Sequence, residues 1–79
     1  MTMSELACEI TARHSLSVTL TRSGCERTWQ LRREPCGWTY RVSWPGHVLA
    51  GGLADPHAAS SKARQFLDEI RSARQDGWH

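Results

Sequence analysis

Between Ser15 and Leu53 the chain alternates apolar and polar residues with a period of two, and three short turn signals interrupt the pattern. That alternation is the strongest constraint on the fold, because successive side chains of a strand point to opposite faces. Leu16, Val18 and Leu20 alternate with Ser and Thr over residues 15–22. Trp29 and Leu31 alternate with Thr28, Gln30 and Arg32 over residues 27–33. Trp38, Tyr40, Val42 and Trp44 alternate with Thr39, Arg41 and Ser43 over residues 38–44. Residues 47–53 give a weaker strand, in which Gly51-Gly52 predicts a bulge or a close backbone approach. Ser23-Gly24, Pro35-Cys36-Gly37 and Pro45-Gly46 are turn signals, so consecutive strands are expected to be antiparallel hairpin neighbours.

The period then changes. Asp55 suits a helix N-cap and Pro56 the first helical position. From there Ala59, Ala63, Phe66, Leu67, Ile70 and Ala73 or Arg74 recur at helical spacing, with polar residues on the remaining surface. Gly77 is a natural stop. The expected architecture is α+β: an antiparallel sheet of four to five strands with one C-terminal helix packed on one face. The chain reads as one domain, with strands over 15–54, a helix over 55–76 and a tail at 77–79. Residues 1–14 read as a strand or a short helix; Leu6, Cys8 and Ile10 alternate, which leans towards strand. The helix is expected to cover the aromatic face and leave the Ser, Thr, Gln and Arg face wet.

Composition narrows the function classes. The 79 residues carry 10 basic and 8 acidic side chains, a net charge of +2, and all basic residues but Lys62 are arginine. No apolar run approaches the ~18 residues of a membrane span, and the opening residues lack the pattern of a secretory signal. Three cysteines, Cys8, Cys25 and Cys36, make neither an even disulfide framework nor the close pairs of a zinc site. The expectation is a cytoplasmic protein without metal or cofactor, with exposed thiols at Cys25 and Cys36. No Ser or Cys falls in a pattern with His and an acid, and Gly51-Gly52 lacks the flanks of a phosphate loop, so no enzyme is expected.

The remaining candidates are binding residues. Arg22, Arg27, Arg32, Arg33 and Arg41 read as one basic band on the sheet, suited to an acidic protein surface or to phosphate. The plainer reading is a solvated face balanced by Glu26 and Glu34. Four tryptophans are many for this length. Trp29, Trp38 and Trp44 share the parity of the core, whereas Trp44, beside a turn, and Trp78, in the tail, are candidate partner anchors. The partner-binding set is therefore Arg32, Arg33, Arg41, Trp44 and Trp78. An RNA-recognition sheet would place aromatics on the open face, and here that face carries Thr, Ser and Arg.

The run from Gly37 to Trp44, followed by Gly46 to Asp55 and an Ala-rich helix, resembles small phage and prophage proteins in which such a hairpin leads into a helix. It is similar in size and plan to small anti-CRISPR proteins of type I systems, over residues 37–74. The resemblance implies a non-enzymatic phage or mobile-element protein that binds a subunit of a host CRISPR-Cas effector complex, Cascade, and blocks target DNA recognition. It carries over no individual residue, because these proteins share little sequence. Many of them are acidic DNA mimics, and this chain departs from them in being mildly basic. The alternative is a small nucleic-acid-binding accessory protein using the arginine band on phosphates. With residues 4–13 helical, the element order also resembles the double-stranded-RNA-binding domain, and Ser60 to Arg64 echo its second helix without its lysine cluster. Both a monomer and a homodimer joined at a sheet edge fit the sequence.

Overall fold

The structure is a computed structural model that describes residues 15–79. The expectation for residues 1–14 lies outside the described residues. The chain forms β1 (Ser15–Arg22), β2 (Cys25–Glu34), β3 (Gly37–Trp44), β4 (His47–Leu53) and α1 (Pro56–Gln75). The strands make one antiparallel sheet in the order β1-β2-β3-β4, and the helix packs on one face. This is the α+β arrangement that the alternation implies, with four strands among the described residues.

Two-residue connections fix the register. Ser23 and Gly24 both have positive φ, 51° and 79°, as a primed hairpin turn requires. Pairing runs unbroken from Arg22↔Cys25 to Ser15↔Arg32, from Glu34↔Gly37 to Thr28↔Ser43, and from Trp44↔His47 to Trp38↔Leu53. The second strand therefore starts at Cys25, two residues earlier than the alternation alone suggests. No bulge occurs at Gly51-Gly52. The close approach does: Gly51 lies opposite Tyr40, and a Cβ at Gly51 would sit 2.6 Å from the Tyr40 hydroxyl oxygen. The Tyr40 ring overhangs the space that a side chain would need.

One face of the sheet meets the helix. Leu20, Trp29, Leu31, Trp38 and Val42 from the strands pack with Ala59, Ala63, Phe66, Ile70 and Ala73 from α1. The helix starts where the sequence suggests: the Asp55 side chain accepts a hydrogen bond from the His57 N–H at 2.9 Å, with Pro56 at the first helical position. The three alanines on its buried stripe let the backbone lie close to the large strand aromatics. Tyr40 meets Phe66 edge-on, centroids 6.2 Å apart, and the Lys62 ammonium lies 4.6 Å from the Tyr40 ring. From its start beside the end of β4, the helix runs diagonally towards the end of β1.

The helix end corrects one expectation. Trp78 is not in a free tail; it is 9% exposed and belongs to the core. Gly77 takes φ 95°, which turns the chain back. The Trp78 N–H then bonds the Ala73 carbonyl at 3.0 Å and the Gly77 N–H bonds that of Arg74 at 3.2 Å. This pair of bonds is a Schellman motif, and it sets the residue after the glycine against the last turn of the helix. Thr21 and His79 then exchange both backbone hydrogen bonds, at 2.8 and 3.0 Å, and the Arg22 guanidinium donates to the Asp76 carbonyl at 2.8 Å.

Candidate anion-binding face

Register and parity sort the five arginines into two sets. Arg22, Arg27 and Arg33 fall on the helix side, where each covers a tryptophan. The Arg27 guanidinium lies 4.9 Å from the Trp29 ring and 5.4 Å from that of Trp78. Arg22 lies 5.1 Å from Trp78, and Arg33 lies 5.5 Å from Trp38. These side chains lay their stems on aromatic surface and keep their charge at the rim. The single basic band expected from the sequence is therefore corrected: three of its members are lids on the core.

Arg32 and Arg41 point the other way. Arg41 pairs with Gln30, and Arg32 follows Gln30 by two residues on the same face. They are thus diagonal neighbours, about 7–8 Å apart at the backbone. Both are exposed, and neither guanidinium has an ion-pair or hydrogen-bond partner among the described residues. Around them lies a concavity of about 380 Å³, walled by Ser17, Gln30, Arg32, Thr39, Arg41 and Ala50. The paired row Leu16, Leu31, Tyr40 and Gly51 completes its lining. One row further on, the Thr19 and Thr28 hydroxyls meet at 3.1 Å.

Over β1 to β3 this open face carries hydroxyls, one amide, Arg32 and Arg41 and, at its ends, Glu26 and Glu34. It carries no apolar side chain there. The hydroxyls and the amide both donate and accept, and the guanidiniums add planar forks that match phosphate or carboxylate oxygens. Such a face has the chemistry to meet an anion.

The other candidates fall elsewhere. Arg33 is separated from Arg32 and Arg41 by the thickness of the sheet. Trp44 is half-buried on the helix side, packs against the edge of the core and stacks on His47, centroids 5.2 Å apart. Trp78 is in the core. Cys25 and Cys36 are free and exposed. Among the described residues no group of three His, Cys, Asp or Glu side chains is placed to hold a metal, and no helix is long and apolar enough to cross a membrane. Parity alone carries the split of the arginines: Arg27 and Arg33 share the odd positions of Trp29 and Leu31. Comparison with protein families, curated proteins and solved structures finds no match to this chain.

Proposed function

We propose that this chain is a non-enzymatic binding module whose open sheet face, centred on Arg32 and Arg41, lies against the phosphate backbone of a nucleic acid. The observation that supports this reading is the chemistry of that face. Protein–protein interfaces are built around apolar and aromatic anchors. Protein–nucleic acid interfaces are more polar and more positive. The β1–β3 open face has two guanidiniums with no partner among the described residues, set among hydroxyls and an amide, and no apolar side chain. It has no aromatic residue on which a flipped base would stack, which favours a duplex over a single strand.

The test is fluorescence anisotropy with labelled DNA and RNA duplexes over a range of salt. Two phosphate contacts give log K a slope of about −1.8 against log salt, since each contributes about −0.9. Arg32→Glu with Arg41→Glu should abolish binding and leave the circular dichroism spectrum unchanged. A wild-type chain that shifts neither duplex removes this reading.

A second reading keeps a protein as partner, namely a subunit of a type I CRISPR-Cas effector that the chain would block. Trp44 favours it, because a half-buried aromatic side chain stacked on His47 beside a turn is the kind of group that anchors protein interfaces. Titration into an effector complex with its target DNA separates the two. Loss of the effector–DNA band, sensitive to Trp44→Ala and without binding to free DNA, would support the inhibitor.

A further inference from the structure

The two outer strands of the sheet are finished differently. At the end of β1, Thr21 and His79 exchange a pair of backbone hydrogen bonds, so part of that edge is occupied. Strand β4 is last in the order, and no described strand pairs with its outer side.

Natural edge strands are guarded against pairing by charge, proline, a bulge, shortness or cover. Among the described residues none of these guards β4. It is 7 residues long, His-Val-Leu-Ala-Gly-Gly-Leu, with no Asp, Glu, Lys or Arg and no internal proline. Its register with β3 is unbroken from His47 to Leu53, so no bulge twists it away. Val48 and Leu49 are the exposed large hydrophobic residues among those described, at 51% and 47%.

The order of residues along β4 also indicates what would cover it. A two-fold axis through Ala50 sets Ala50 against its own copy, Leu49 against the partner's Gly51, Val48 against the partner's Gly52, and His47 against the partner's Leu53. Each large exposed side chain thereby meets a glycine. No charge meets a like charge. On the helix side, Leu49 would arrive where the partner's Tyr40 overhangs the partner's Gly51, aliphatic against aromatic. On the open side, Val48 would lie over the partner's Gly52, where an added Cβ would meet only the Trp38 carbonyl oxygen, at 3.7 Å. A surface that complements itself under a two-fold rotation is what an isologous dimer requires.

We infer that β4 is a dimerisation strand, and that its occupant is the β4 of a second copy, paired antiparallel about Ala50. Two four-stranded sheets then become one continuous sheet, with Arg32 and Arg41 of both copies on the same open face.

The inference is tested on the full chain in reductant, so that Cys25 and Cys36 form no adventitious link. Sedimentation equilibrium should show the mass rising with concentration from 8.9 kDa towards twice that value. Val48→Lys with Leu49→Lys should hold the mass at one copy, with an unchanged circular dichroism spectrum, because both positions are exposed. The register is tested in a chain whose own cysteines are serine. Ala50→Cys should cross-link to itself on mild oxidation, since directly opposed residues lie within disulfide range. Val48→Cys should not, because the two copies of residue 48 are four residues out of register, roughly 13 Å apart. A single copy at every concentration overturns the inference. A dimer that survives the two lysines, or one that cross-links at position 48 rather than 50, overturns it equally.

Discussion

The two faces of this sheet carry arginines in comparable number and use them in opposite ways. On the helix side, Arg22, Arg27 and Arg33 lie over Trp78, Trp29 and Trp38, and their apolar stems extend the core to its rim. On the open side, Arg32 and Arg41 stand among hydroxyls with no partner for their charge among the described residues. Consecutive residues Arg32 and Arg33 belong to different surfaces, since a strand turns each successive side chain to the other face. Local density of charge in a β-sequence is thus a poor guide to a patch; charge of one parity is a better one.

That contrast can be broken at several points. The largest effect is expected at Trp29, which is fully buried. Trp29→Ala should cost about 3–5 kcal/mol in urea unfolding, and any binding should fail together with the fold. Trp78→Ala comes next, at about 3 kcal/mol. A chain that keeps its stability without Trp78 would place that residue with the binding groups instead. Gly51→Val should cost about 1–3 kcal/mol through overpacking, because its Cβ would collide with the Tyr40 ring. Arg27→Ala should cost about 1 kcal/mol through the two rings it covers, with no change in the salt dependence of nucleic acid binding. Arg41→Ala, the mildest, should leave stability within about 0.5 kcal/mol. It should also flatten the salt slope by about 0.9. Equal effects of Arg27→Ala and Arg41→Ala on both measurements would erase the distinction between the faces.

Much of this fold is legible in the sequence, and for specific reasons. Two-residue turns leave no freedom in register once strand parity is known, and Asp55-Pro56 marks the change of period. The same turns already contain the site. Pairing across Pro35-Cys36 sets Gln30 opposite Arg41, and pairing across Pro45-Gly46 sets Tyr40 opposite Gly51. The five arginines read as one band only when proximity along the chain is weighed above parity. Trp78 reads as tail because it follows a helix-stopping glycine, yet an apolar residue there is also the hydrophobic half of a Schellman motif. The diagonal course of the helix follows from packing its buried stripe against the strand side chains of the core in three dimensions. No periodicity encodes that choice.

The clasp between Trp78, His79 and the end of β1 has a kinetic consequence. Every strand pairing in this meander joins neighbours in sequence across a two-residue turn, and such local contacts form early and cheaply. The clasp joins positions 58 residues apart, so it closes the longest loop and should form after the folding transition state. Destabilisation at Trp78 should then appear almost wholly as faster unfolding, with the refolding rate little changed. The last two residues would act as a latch on the lifetime of the folded chain, with little influence on how quickly it is reached.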